Sequence, residues 1–269
     1  MKGDTVSKLP REGIDDQCVY LKFSLRKLCL VTVILPVSSL IICFVTANIF
    51  QKDDIHETHC KVYNVVPSIS AITGISPQKY LWRICVAFHV GPRLVIAIVY
   101  KQYYSKLLEK ENLNGKNWLL NFCFWLSITE IVTLCGVTYI SNRENYPIHE
   151  KIFITFMFSS LSYMLASLKI FNVVHVRKTN EENYSYKLKK LFFTASILTS
   201  FGLFIFFVKH RFLCHDMAFS WFSVCEYLIA FFNMGFHTTV ILDFPTEQVT
   251  VSKGSERNKT NDVTIFKVD

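Results

Sequence analysis

The sequence predicts an all-α, polytopic membrane protein, a six-transmembrane-helix bundle, and three observations carry that prediction. First, 51% of its 269 residues are hydrophobic and 15% aromatic, with 24 Phe, a balance foreign to an ordinary soluble domain. Second, the apolar residues gather into six blocks, 28–50, 80–100, 118–140, 152–174, 191–208 and 218–242. A bilayer core takes about 20 residues of helix, and apolarity on all sides suits helices that hide their backbone hydrogen bonds from lipid. Third, the +8 net charge is unevenly spread: with six spans, nineteen Lys and Arg fall on the side of the termini and seven on the other. That bias predicts both termini in the cytosol, and it reads as membrane topology, not as nucleic-acid binding.

Three segments follow: a cytosolic N-terminal segment at 1–27, a six-span membrane domain at 28–242 and a cytosolic tail at 243–269. Residues 1–27 are polar and are expected to lack a fold of their own. They also exclude a cleavable signal, because the first apolar block is too long for one and stands behind a polar stretch. Pro36 in the first span predicts a kink. The loop at 51–79 opens polar and turns apolar, rich in Ser, Pro and Gly, and is expected at the head-group interface or folded back toward the bundle. The second span carries Arg83, His89 and Arg93, and the third carries Glu130. Lys169 ends the fourth, where a long side chain snorkels and is structural. The charged stretch 176–190, with Lys187, Lys189 and Lys190, reads as a cytosolic loop ahead of the fifth span. The fifth span is almost wholly apolar and faces lipid. The sixth holds Glu226, Asn233 and His237.

Of nine cysteines, most lie within spans, where a thiol is ordinary packing. Cys60 and Cys214 instead fall on two non-cytosolic loops, so they are candidates for a disulfide. The Asn183 and Asn258 glycosylation sequons fall on the cytosolic side and are expected to be unmodified. His149-Glu150 and the His210, His215, Asp216 group match no metal-ligand spacing, so they read as solvated loop residues and no metal site is predicted. No Gly-rich phosphate loop, GxSxG elbow or H-x4-D pair is present.

The ionisable groups within the spans are the strongest functional signal, because each costs several kcal/mol at membrane depth unless it is paired or hydrated. At about 100° per residue, Trp82, His89 and Arg93 fall within roughly 40° of one another, and Glu226, Asn233 and His237 repeat that spacing. At about 1.5 Å per residue from the non-cytosolic ends, Glu226 lies about 12 Å deep, His89 about 14 Å and Glu130 about 15 Å. Arg93 and Asn233 come out near 20–22 Å and His237 near 28 Å by the same rise. The second, third and sixth spans should therefore adjoin and pair these groups. Two readings stay open: a hydrogen-bonded polar core that fixes helix register, or a cavity that takes a polar head group while acyl chains lie on the Phe-rich spans.

Several strings resemble the post-GPI-attachment-to-proteins factor 2 family, within the wider Frag/DRAM/Sfk group of six-span proteins. They are Thr58-His59-Cys60, Pro67-Ser68-Ile69-Ser70 with Gly74, the run Pro77-Gln78-Lys79-Tyr80-Leu81-Trp82-Arg83-Ile84-Cys85, His89, and Pro92-Arg93. Ile148-His149-Glu150, Tyr184-Ser185-Tyr186, Glu226-Tyr227, Asn233-Met234-Gly235-Phe236-His237 and Asp243-Phe244 continue the match. The resemblance implies a Golgi or endoplasmic reticulum membrane protein of GPI-anchor fatty-acid remodelling. It would act where a lyso-GPI regains a saturated chain, as the acyltransferase or as an essential component. No bound cofactor is implied; the co-substrate is an acyl donor such as acyl-CoA, and the partners are lyso-GPI-anchored proteins and membrane lipids. On that footing His89 is the candidate base, Glu226 or Glu130 orients it, and Arg83 and Arg93 hold phosphate. Trp82, Asn233 and His237 complete the head-group site. The alternative is a non-catalytic lipid-binding or adaptor protein. Composition and spacing by themselves lead only to a six-span protein with a buried His, Glu and Arg cluster.

Overall fold

The computed structural model describes residues 19–175 and 179–252. Most of the polar N-terminal segment, the tail beyond 252 and the Asn258 sequon lie outside the described residues. In chain order the elements are β1 (Val19–Ser24), α1 (Leu25–Phe50), α2 (Lys52–His56), α3 (Ile69–Thr73), α4 (Gln78–Lys110) and a 3-10 turn (Asn114–Lys116). Then come α5 (Asn117–Tyr139), α6 (Tyr146–Val174), α7 (Asn180–Leu213), α8 (Ala218–Thr238), α9 (Val240–Asp243) and β2 (Gln248–Ser252). Among the described residues six helices are long and apolar enough to cross a membrane, and the protein is a polytopic membrane protein built on that bundle.

Several helices outrun the apolar blocks that announce them. α4 has 33 residues and α7 has 34, about 50 Å each at 1.5 Å per residue, against a hydrocarbon core of about 30 Å. Their polar ends therefore stand outside the core. Caps set these starts. In α7, Thr179 accepts from the Glu182 amide while the Glu182 carboxylate accepts from the Thr179 amide, a reciprocal capping box. In α6, Asn145 caps the Ile148 amide and Pro147 occupies the first turn.

α1 lies along α4, α4 along α5, α5 along α6, and α7 along α8. The sixth apolar block is broken after Thr238 and resumes as α9. α7 shows Leu198, Phe201 and Phe204 to the outside, as a lipid-facing helix should. One end of the bundle carries the strands and is called the terminal end. The other carries the Cys60–Cys214 disulfide and is called the disulfide end. There the 51–77 loop turns inward and buries Ile55 and Ile72 against Cys43, Ala47, Trp82 and Val86.

Two expectations are corrected at the terminal end. Residues 19–27 do not lack structure: Val19–Ser24 pairs antiparallel with Gln248–Ser252, and Leu25 already begins α1. Each strand is too short to announce itself, and its partner comes from the far end of the chain. Lys189 is no free basic residue of a cytosolic loop. It is 1% exposed, and its Nζ lies 2.5 Å from Asp243 Oδ2 and 2.8 Å from Ser185 Oγ. The Tyr100 hydroxyl donates to the same Asp243 oxygen and the Ser185 hydroxyl to the other, so α4, α7 and α9 meet on one carboxylate.

Candidate functional site

Glu130, midway along α5, is 1% exposed and sits where an unpaired carboxylate would be heavily penalised. Its Oε2 accepts from Arg93 Nη2 at 3.0 Å. Its Oε1 accepts from Asn233 Nδ2 at 2.7 Å and from His237 Nε2 at 3.2 Å. Asn233 also donates to Ser160 Oγ at 2.7 Å, so α4, α5, α6 and α8 are joined by one hydrogen-bonded knot. Tyr163 stacks on the His237 ring with centroids 5.4 Å apart.

The inferred meeting of the second, third and sixth spans is thus observed, with one revision. His237 reaches Glu130 although the depth count set them about 13 Å apart. Side chains lean toward their own helix N-terminus, and α5 and α8 run in opposite directions, so the two groups lean toward each other.

A cavity of about 130 Å³ opens beside this knot, between α1, α4, α5, α6 and α8. Val33, Leu40, Val86, Leu134, Phe156 and Ile229 give it apolar walls, and Trp82, His89, Arg93, Glu226, Asn233 and His237 supply the polar ones. Both predicted stripes therefore face one chamber. His89 is turned by a contact that the sequence reading missed. Pro36 has no N–H, so the Thr32 carbonyl four residues earlier has no helical donor, and His89 Nδ1–H supplies one at 2.6 Å. That bond fixes the tautomer and leaves Nε2 as an acceptor. Pro36 is thus more than a kink.

Neither expected carboxylate is hydrogen-bonded to His89. Glu130 is saturated by Arg93, Asn233 and His237 behind the chamber. Glu226 Oε2 accepts from the Ile69 amide at 2.8 Å and so holds the start of α3. Replacing Glu226 with Ala is expected to free that amide and speed hydrogen exchange across residues 69–73 at least tenfold, whereas Glu226→Gln, which keeps an acceptor, should stay within about threefold of wild type. Exchange measured on the detergent-solubilised protein checks both.

α3 carries the second missed feature. The Ser70 hydroxyl donates to His149 Nε2 at 2.9 Å, and His149 Nδ1–H donates to the Ile140 carbonyl at 2.7 Å. His149 is buried in the first turn of α6 and is no solvated loop residue. His210, expected in a loop, is buried in α7, while His215 is exposed. Among the described residues no three His, Cys, Asp or Glu side chains are grouped to hold a metal. Gly74 lets α3 seat closely: a Cβ there would lie 2.7 Å from the Ser70 carbonyl oxygen and 2.8 Å from Asn142 Oδ1.

Ser70, His149, Phe153 and Glu226 also line a second cavity, of about 500 Å³, at the disulfide end. Its other walls include Phe204, Phe207, Phe219 and Phe222, with His59, His210 and Arg211. The two cavities thus share a wall at the Ser70–His149 pair.

Arg83, expected on phosphate, lines neither cavity. Its Nη2 lies 2.7 Å from Glu144 Oε2 and 2.9 Å from the Tyr139 carbonyl, so its charge is already answered. Amide and hydroxyl donation from Ser141 together with Arg83 holds the Glu144 carboxyl down at about 2. A depressed carboxylate stabilises the fold above its ordinary value near 4.5 and loses that contribution only as pH falls toward about 2, so the tie persists at every pH above about 5.

The family model described as Frag1/DRAM/Sfk1/Cwh43P N-terminal domain matches residues 24–247. A Drosophila melanogaster protein, "Post-GPI attachment to proteins factor 2-like", is 52% identical over 92% of this chain and 78% of its own length. "Acyltransferase PGAP2" of Xenopus tropicalis is 34% identical over 84% of this chain and 90% of its own. "Post-GPI attachment to proteins factor 2" of Caenorhabditis elegans is 32% identical over 88% and 91%. No solved structure matches the chain.

Proposed function

The chain belongs to the Frag1/DRAM/Sfk1/Cwh43P family, and from that membership we propose that it acts in GPI-anchor maturation as a membrane acyltransferase that returns a saturated chain to a lyso-GPI. The names of its relatives support the pathway and the class of reaction. The observation that carries the reading is the chamber itself, which faces imidazole and guanidinium groups across apolar walls inside a bilayer-spanning bundle. A lyso lipid needs both surfaces, an apolar one for its remaining chain and a polar one for its phosphate and hydroxyls.

His89 Nε2 accepts a substrate hydroxyl. Arg93 gives one nitrogen to Glu130 and offers other donors of its fork to phosphate. Trp82, Asn233 and His237 complete this wall. Arg83 stays outside it and fastens the α5–α6 turn. No bound cofactor is invoked; the co-substrate is an acyl ester or thioester such as acyl-CoA.

The excess of Lys and Arg on the side of the termini supports a cytosolic terminal end. A lumenal disulfide end suits the Cys60–Cys214 bond, which needs an oxidising compartment. Both agree with residence in the Golgi or endoplasmic reticulum membrane and with lyso-GPI-anchored proteins as partners.

The test is purified protein in liposomes given a lyso-GPI and a saturated acyl donor, with the lipid product read by mass spectrometry. Turnover is expected, and His89→Ala should lower it at least about tenfold, the scale of one or two lost hydrogen bonds to substrate. A fully satisfied Glu130 knot also suits a non-catalytic adaptor, and lipid binding without turnover from any donor would establish that alternative.

A further inference from the structure

The chamber described above accounts for a bound lipid but not for a group that receives the acyl chain from its donor. One arrangement outside the predicted site has that chemistry. Ser70 Oγ lies 2.9 Å from His149 Nε2, within the reach of a nucleophile and its base. The Ile140 carbonyl, 2.7 Å from His149 Nδ1, fixes the tautomer in which Nε2 is the acceptor, the place a third group holds in nucleophile–base–orienter systems. Glu226 pins the backbone one residue before Ser70. Ser70 is half-buried, and it stands where the 130 Å³ chamber and the 500 Å³ cavity share a wall. A structural serine tying α3 to α6 would not need to stand at the boundary of two cavities.

We propose that Ser70 is the nucleophile and His149 its general base in a two-step acyl transfer, a proposal that rests on the acyltransferase reading. In the first step Ser70 Oγ attacks the carbonyl carbon of a donor ester or thioester while its proton passes to His149 Nε2. The donor's C–O or C–S bond breaks, and the leaving alkoxide or thiolate takes that proton. In the second step the free hydroxyl of the lyso lipid attacks the acyl-serine and gives its proton to His149. Ser70 leaves and regains it. Serine and imidazole end as they began, and no other reactant is required. A glycerol backbone at the shared wall keeps its phosphate against the polar wall of the chamber and its chain against the Phe-rich surfaces of the wider cavity.

The experiment gives the purified full-length protein in liposomes a donor alone, stearoyl-CoA in one arm and distearoyl phosphatidylcholine in the other, followed by digestion and mass spectrometry. One acyl mass on the peptide containing Ser70 is expected, released by hydroxylamine and lost in Ser70→Ala. His149→Gln should lower its rate of formation at least about a hundredfold, as loss of a general base does. The arm that acylates tells thioester from oxoester donors. Labelling of wild-type Ser70 by an alkyl fluorophosphonate serves as a second readout that needs no variant to fold.

Absence of acyl and of label on Ser70 overturns the proposal, as does Ser70→Ala turning over lyso-GPI within twofold of wild type; in that second case the acyltransferase reading survives. Acyl-Ser70 that never passes to any lyso lipid upholds the nucleophile and overturns the reading it rests on.

Discussion

Replacing Glu130 with Ala is expected to cost about 3–5 kcal/mol of stability, the scale of stranding one partner of a buried ion pair. The loss leaves the Arg93 guanidinium without its anion and removes the acceptor of Asn233 and His237, all of them buried. Thermal unfolding of the detergent-solubilised protein, with the monodisperse fraction after heating, measures the effect. The double variant Glu130→Ala/Arg93→Met removes both charges and should recover about half or more of the loss, because the penalty belongs to the orphaned charge. A double variant no better than the single one would show that the two groups are not an ion pair in the folded protein.

The second large effect is expected at Asp243, at the other end of the bundle. Asp243→Ala strands the Lys189 ammonium, 1% exposed, and strips acceptors from Tyr100 and Ser185 at once. A loss of about 3–5 kcal/mol is again the scale. Asp243→Asn, which keeps an acceptor oxygen but not the charge, should fall between wild type and Ala. Since this cluster lies away from both cavities, any Asp243→Asn protein that folds should keep wild-type turnover per folded molecule. The Lys189 ammonium also lies 5.1 Å from the centre of the Phe171 ring, so this variant retains part of its environment.

Much of the fold was legible because it is local. Apolar runs gave six spans, and helical spacing placed Trp82, His89 and Arg93 on one stripe and Glu226, Asn233 and His237 on another, all six of them lining one chamber. What escaped were contacts between elements distant in sequence. The bond from His89 to Thr32 requires a proline in α1 to face α4, and spacing within either helix says nothing of that.

Two misses had signals that went unused. Asn145 followed by Pro147 marks a helix start, which would have put His149 inside α6 instead of in a loop. The Thr179 and Glu182 capping box likewise begins α7 well before its apolar block, which sets Lys189 in mid-helix. Ser70 had no such signal, since α3 has only five residues and its serine gains meaning from a histidine in another element.

The central claim is that a lyso lipid occupies the two adjoining cavities between the Glu130 knot and the disulfide end, with its glycerol at their shared wall near Ser70 and His149. The most direct measurement is photocrosslinking with a lyso-phosphatidylinositol analogue carrying a diazirine next to its free glycerol hydroxyl. The account predicts adducts on the peptides that contain Ser70, His149 and the stretch from Trp82 to Arg93, competed away by unlabelled lyso-GPI. Adducts confined to the outward face of α7, at Leu198, Phe201 and Phe204, would contradict it.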